Sequence, residues 1–308
     1  MTDTPADAGL DRALDDFSEL RSRLFGIAYR MLGTVADAED IVQDVWVKWQ
    51  SYQDRASVKD PTGFLITVTT RLAINATQTA RVRRETYIGP WLPEPVDTAA
   101  DPSLGAERAA ALETAVLVVL EKMTPTERAA FVLREAFDYP YERIADVLEV
   151  KEVTARKLVS RARQGIDSER HAPVDDTQQR RLLEAFLIAA RAGDFDDLEA
   201  LFATDVASYS DGGGKVRGAS RIPVVGRTRV ARYVAAFASH FWTGATIDRV
   251  DANGRASVLL SRDGSPFAWL TVGAADSAHI DRIYWMLNPD KLGRLAASVG
   301  LTEEPTAE

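Results

Sequence analysis

Arg156, Lys157, Ser160 and Arg161 lie in one stretch, EVTARKLVSRARQ at 152–164, where helical spacing sets them with Val153 and Gln164 on one side. Guanidinium and ammonium groups hold phosphate oxygens, and hydroxyls and amides reach base edges, so such a face suits a nucleic acid. The other side, Ala155, Leu158, Val159, Ala162 and Ile166, is an apolar stripe. Tyr141 to Leu148 reads as a short preceding helix, Glu149 to Lys151 as a turn, and Glu152 to Gly165 as a second helix. That is the layout of a helix-turn-helix. The glycine common at such bends is absent, with Glu149 in its slot. An amphipathic hairpin with a solvated charged face would carry the same pattern.

A second set lies in FLITVTTRLAINATQTARVRRE, residues 64–85. With Leu65, Val68, Leu72 and Ala76 facing inward, Thr67, Arg71, Asn75 and Gln78 share a polar face that runs into Arg81, Arg83 and Arg84. Amides beside cations suit a strand whose bases are exposed. A plain surface helix is the alternative, although Asn within a helix is mildly unfavourable. A third set, Asp211, His240, Trp242, Tyr284 and Trp285, could line or rim a pocket. There Asp211 or another carboxylate could act as a general base on a small acidic C–H substrate. No spaced acid/base pair accompanies it, and catalysis is not expected. The glycines Gly212, Gly213 and Gly214 beside Lys215 could cradle an anion, but they lack a phosphate-loop signature and read more simply as a tight loop.

The elements that must position these residues fall into three blocks. A chain of 308 residues exceeds one core of common size. Its 46% hydrophobic and 27% charged composition is that of soluble globular units. Residues 10–86 read as helices, with Ile41, Val42, Val45, Trp46 and Trp49 on one side of AEDIVQDVWVKW. GPWLPEPVDTAADPSLG reads as a linker within 87–106, residues 107–170 are again helical, and ERHAPVDD is a second joint. From 175 to 296 a long helix precedes strand-like runs RASVLLS, FAWLTVG and IDRIYWML, with turn signals Asn253-Gly254 and Asp263-Gly264. Residues 297–308 read as a short helix running into an acidic tail.

The net charge of −9 argues against a nonspecific nucleic-acid coat. Its distribution says more: residues 51–90 hold six basic against three acidic side chains, and residues 151–170, which include Arg170, hold the same. Two basic islands in an acidic chain fit DNA contact at two places and protein contact elsewhere. Zero cysteines exclude disulfides and thiolate metal sites, three histidines argue against a catalytic zinc, and no cofactor is expected. No apolar run suits a membrane span and the start is acidic, so the cytoplasm is expected.

GTVADAEDIVQDVWVKW, FLITVTTRLAIN, MTPTERAAFVLREAFDYPYERIADVLEV and RKLVSRAR, in this order, resemble regions two and four of an extracytoplasmic-function sigma factor over about residues 10–168. WLPEP in the linker, with DGGGK and NPDK later, is similar to the subgroup that carries a fused SnoaL-like domain of the nuclear-transport-factor-two fold. The resemblance implies two all-α domains followed by an α+β cone, and promoter specificity supplied to bacterial core RNA polymerase. It implies that Asp37, Asp40, Gln43, Asp44 and Trp46 face the clamp helices of the largest polymerase subunit. It further implies that Asn75, with Arg71 and Gln78 nearby, captures a flipped base of the minus-ten element, and that Arg156, Lys157, Ser160, Arg161 and Arg163 dock the minus-thirty-five element. Regulation in cis would bring Trp91, Leu92, Pro93, Glu94 and Pro95 against the loop Asp211 to Lys215, with Trp91 as the apolar anchor. A small ligand or a protein is a further possible partner of the third domain. Two alternatives stay open, a ligand-responsive helix-turn-helix regulator and a small-molecule isomerase or cyclase.

Overall fold

The computed structural model describes residues 5–99, 112–169 and 175–301. Expectations about the acidic tail beyond 301, the linker beyond 99, Arg170 and most of the 169–176 joint lie outside the described residues. The described chain forms two compact units. One holds the residues up to Arg83, Leu112 and 119–165, and the other holds 84–99, 113–118 and the chain from Ile166 onward.

The first unit is helical: α1 (Pro5–Leu32), α2 (Val35–Ser51), α3 (Pro61–Glu85), the end of α4 (Thr114–Leu120), α5 (Pro125–Phe131), α6 (Tyr141–Leu148) and α7 (Glu152–Glu169). Thr34 caps α2 by accepting from the Asp37 N–H, and Ile41, Val42, Val45 and Trp49 are buried as their spacing requires. The Trp49 indole N–H donates to the Ala13 carbonyl at 3.1 Å, which fixes α2 on α1. Thr124 and Glu127 form a reciprocal capping box at the start of α5, with Pro125 in the first turn. The helix then widens into a π-helical turn at Val132–Ala136.

The inward stripe of α3 differs from the expected one. Leu65, Ile66, Thr69, Thr70, Ala73, Thr77 and Ala80 are buried, whereas Val68, Leu72 and Ala76 are only half-buried. Threonine misleads a hydrophobic periodicity because its hydroxyl can bond back along the helix. Thr69, Thr70 and Thr77 do so, to the carbonyls of Leu65, Ile66 and Ala73 at 2.7–2.8 Å, and so bury without an unsatisfied group.

The second unit is an α+β domain. It contains α8 (Asp176–Ala192), α9 (Phe195–Leu201), β1 (Phe202–Asp211), β2 (Val224–Val225), α10 (Arg227–Phe241), β3 (Thr246–Ala252), β4 (Arg255–Arg262), β5 (Ser265–Ala274), β6 (Ile280–Met286) and α11 (Gly293–Ser298). The strands form one sheet in the order β2-β1-β6-β5-β4-β3, parallel at β1–β6 and antiparallel elsewhere. Asn253-Gly254 and Asp263-Gly264 sit at positive φ at the β3–β4 and β4–β5 turns, the conformation these pairs tolerate best.

Both sheet faces are covered, which is why RASVLLS is a continuous apolar run and not an alternating one. Toward one face Val258, Leu260, Leu270, Ile283 and Trp285 pack under Leu183, Phe186 and Leu187 of α8 and Val230 and Val234 of α10. Toward the other, Leu259, Trp269, Tyr284 and Met286 pack with Leu292, Leu295 and Leu92 from the linker.

Candidate functional site

α6 ends at Glu149 with φ 55 and ψ 44, the left-handed conformation for which glycine is favoured. The Glu149 and Val150 N–H groups still close back on α6, so the bend forms without a glycine. α7 then buries Ala155, Val159, Ala162 and Ile166; Leu158 is half-buried, not fully inward as expected. Val153, Arg156, Lys157, Ser160, Arg161, Arg163 and Gln164 are exposed together. Some of these cations are already oriented. Arg156 pairs with Glu152 at 2.5 Å and lies over the Tyr141 ring, and Arg163 pairs with Glu135 at 2.6 Å.

On α3, Arg71, Asn75 and Gln78 are exposed and Thr67 is half-buried. Arg71 does not stand alone. Its guanidinium donates to the carbonyls of Val147 at 3.0 Å and Asp146 at 3.3 Å, and pairs with Glu149 at 3.0 Å. A residue expected to meet one DNA element thus grips the turn of the hairpin expected to meet another. Two further ties lie in the same unit, one at the start of α3 and one between α5 and α1. Arg143 of α6 pairs with Asp60, whose carboxyl is held below its usual range by the Gly63 N–H and then by Arg143. Arg128 of α5, 1% exposed, donates to the Met31 carbonyl at 2.5 Å and to Glu121 at 2.7 Å. Burial pulls the Arg128 pKa down to about 10.

The other cations of α3 diverge. Arg81 is exposed, Arg83 pairs with Asp37 at 2.8 Å, and Arg84 lies 3.7 Å from the Trp91 ring centre. On α2, Asp40, Gln43 and Asp44 are exposed, as a protein-docking face requires. Asp37 is turned instead to Arg83 and the Thr34 cap. Trp46 is half-buried against Phe17, at the edge of a shallow cleft of about 310 Å³.

The linker holds the least expected arrangement. Asp211, 0% exposed at the end of β1, receives the Tyr87 hydroxyl on one oxygen, and on the other the Leu92 N–H at 2.9 Å and the Lys291 ammonium at 2.8 Å. Lys291, 7% exposed, also donates to the Leu92 carbonyl at 2.6 Å and lies 4.3 Å from the Trp91 ring centre. Asn288 donates to the Tyr87 oxygen at 2.9 Å. Burial, and then Asp211, raise the Tyr87 pKa; burial lowers that of Lys291 against the pull of Asp211.

Pro93, Glu94 and Pro95 are buried, and Val96 exchanges hydrogen bonds with Asn253, its N–H meeting the side-chain oxygen and its carbonyl the N–H, both at 2.9 Å. Asp97 bridges Ala252 at the edge of β3. At the far end of the connecting segment Glu113 pairs with Arg255 at 2.9 Å, and Ala115 and Val118 pack on the same apolar cluster as Leu92.

Three expectations need correction. Asp211 belongs to this clamp and not to a pocket, so it is committed to four donors and cannot serve as the general base considered for it. Leu92, 1% exposed, is the apolar anchor, while Trp91 is half-buried between Arg84 and Lys291. Tyr284 faces the linker side of the sheet, stacked on Tyr209, whereas His240, Trp242 and Trp285 line a cavity on the opposite face. In the glycine loop, Gly212 is buried and the Gly213 N–H donates to Asp211 at 3.2 Å. A Cβ on Gly213 would collide with Asn288, and one on Gly214 with Ile88, so the loop is shaped by close packing. Lys215 pairs with Asp290 at 2.5 Å. Sequence reasoning missed Tyr87, Asn288 and Lys291, although NPDK, which contains two of them, was the available signal.

Residues 17–84 match the family model for sigma-70 region 2, and residues 113–165 match that for sigma-70 region 4. The chain is 38% identical over 236 residues to the ECF RNA polymerase sigma factor SigJ of Mycobacterium tuberculosis, covering 75% of each. It is 29% identical over 284 residues to the probable ECF RNA polymerase sigma factor SigI of the same species, covering 91% of this chain and 94% of that one. The crystal structure of M. tuberculosis SigJ superposes with a TM-score of 0.72 at 32% identity, over 91% of this chain and 98% of that one.

Proposed function

We propose a mode of action for a chain that belongs to the extracytoplasmic-function (ECF) RNA polymerase sigma factors: it rests closed, opens on polymerase, and is restrained from opening by its own third domain. A sigma factor works with core RNA polymerase and promoter DNA, which sets the task in the cytoplasm. The exposed Asp40, Gln43 and Asp44 of α2 meet the polymerase, Asn75 and Gln78 with Arg71 read the minus-ten element, and α7 reads the minus-thirty-five element.

The two elements lie about 25 base pairs apart by name, or ~85 Å at 3.4 Å per base pair. Arg71 and Glu149 are 3.0 Å apart. Both elements cannot be read at once in that arrangement, so α3 and the α6–α7 hairpin separate on the promoter. The contacts between them suit a reversible joint. Exposed pairs such as Arg71–Glu149 are worth about 0–1 kcal/mol, and a buried pair roughly offsets its own desolvation. The buried Arg128 Nε finds no partner among the described residues, so the closed state is not fully satisfied.

The observation that carries the regulatory part is the hold of Asp211 and Lys291 on the Leu92 main chain. With Leu92, Ala115 and Val118 in one cluster, both ends of the segment between the two promoter-reading regions are tied to one domain. Such a tie opposes a span of ~85 Å. Because it acts within one chain, modest contacts are effective. The third domain acts by binding, with Asp211 spent on holding the linker.

Run-off transcription with bacterial core polymerase on a matched promoter, at limiting sigma factor, tests the reading. Tyr87→Phe and Lys291→Met, each normalised to folded protein, are expected to raise transcript yield, Lys291→Met more. Unchanged or lower yields from both would contradict the restraint.

A further inference from the structure

On the helix side of the sheet lies a cavity of about 430 Å³, open at one end. That is the size of a small-molecule site. Its walls are aromatic: Tyr233, Phe237 and Phe241 from α10, then Trp242, Phe267 from β5 and Trp285 from β6. Phe241 stands edge-on to Trp242, Phe267 and Trp285, with ring centres 5.1–5.5 Å apart. Rings locked in this way give a rigid slot that favours a flat apolar body.

The polar groups are few and of one sign. Ser210, 2% exposed, pairs with Trp285 across β1 and β6 and lines the cavity, and its hydroxyl has no hydrogen-bond partner among the described residues. Ser208, two residues earlier on the same strand face, is by contrast occupied by the Trp285 N–H at 3.1 Å. That hydroxyl is available to bond what enters the cavity. Arg262 is fixed by the carbonyls of Phe241 at 2.9 Å and Thr243 at 3.1 Å, and lies 4.6 Å from the Phe267 ring centre. Arg217 and His240 also line the cavity; Arg217 is exposed and has no ion-pair partner among the described residues. Among the described residues, no carboxylate lines the cavity.

We propose that this cavity binds a flat aromatic acid about two fused rings in size, its rings between the aromatic walls, its anionic group toward Arg262 and Arg217, and a polar atom at the Ser210 hydroxyl. An apolar slot alone would accept neutral hydrocarbons. Two arginines without a carboxylate make the negative charge the discriminating feature.

The probe is 8-anilinonaphthalene-1-sulfonate, an aromatic anion of this size, with the neutral N-phenyl-1-naphthylamine for comparison. Titrated into the full chain, the anion should saturate at one per chain and bind at least ten-fold tighter than the neutral amine. Arg217→Met, on an exposed loop, and Arg262→Met should each weaken the anion at least several-fold and leave the amine unchanged. Equal affinity for the two probes, or anion binding indifferent to both substitutions, overturns the proposal, as does binding that does not saturate.

Discussion

The Lys291 ammonium meets the Leu92 carbonyl, 199 positions earlier in the chain, at 2.6 Å, while its other partner, Asp211, holds the Leu92 N–H. One residue of the linker is thus held on both its main-chain polar groups by an ion pair of the third domain. The hold is sequence-tolerant at Leu92 for polar contacts, since it reads main chain, but needs an apolar side chain to fill the cluster beneath.

Removing one member of this pair strands the other. Lys291→Met leaves a buried carboxylate with only the neutral donors Tyr87, Leu92 and Gly213, and losing one partner of a buried pair typically costs about 3–5 kcal/mol. Asp211→Asn strands the ammonium in the same way. The double variant should lose less than the sum of the two single losses, and a cycle of urea unfolding measurements gives the coupling; strict additivity would mean that the two do not interact.

Tyr87 gives a pH dependence of definite sign. Its folded pKa lies above the ordinary 10.0, through burial and the hydrogen bond to Asp211. The stabilisation is therefore complete below about 10 and is lost as the pH rises through the folded value. Alkaline titration followed by tyrosinate absorbance should show one phenol ionising late, and Tyr87→Phe should remove that component. The variant should also lose stability less steeply than the parent above pH ~10.

The hairpin bend offers a cleaner handle on opening. Glu149→Gly removes the ion pair with Arg71 and relieves a left-handed residue that costs roughly 1–2 kcal/mol with a side chain. The hairpin itself should become more stable and its tie to α3 weaker. Since exposed pairs are worth about 0–1 kcal/mol, opening should be favoured by no more than ~5-fold. Holoenzyme formation at low polymerase concentration reads this out; weaker assembly would contradict it.

Much of this was legible in the sequence, for reasons specific to each part. The two hairpins were visible because Asn-Gly and Asp-Gly have few other uses between apolar runs. The exposed face of α7 was visible because its opposite stripe is purely apolar. The interior of α3 was misread because three threonines bury by bonding their own helix, which a polarity count cannot register. The clamp was hidden for a different reason. Tyr87, Asp211, Asn288 and Lys291 meet only after the sheet forms, and no local spacing joins positions 199 apart. Asp211 was open to two readings, a general base and part of the loop set against WLPEP, because a general base and a buried ion-pair member look alike in sequence; in the structure its carboxylate holds the Leu92 N–H.

The cavity and the clamp share a stretch of chain. Leu287, Pro289 and Leu292 line the cavity, while Asn288 and Lys291 between them hold Tyr87 and Leu92. If both proposals hold, an aromatic acid in the cavity should alter transcript yield from the parent chain and have a smaller effect on Lys291→Met. Equal effects on the two chains would mean that the cavity acts independently of the clamp.

The central claim, a closed free chain that opens on polymerase, has a direct test, which the absence of cysteine makes simple. Thr79→Cys on α3 and Lys151→Cys at the bend, both exposed positions, accept a fluorescent donor and acceptor without further changes. Energy transfer should be efficient in the free chain and fall toward zero when core polymerase and a matched promoter are added, as the reading elements separate toward ~85 Å. Efficient transfer that persists in a transcribing complex would contradict the account.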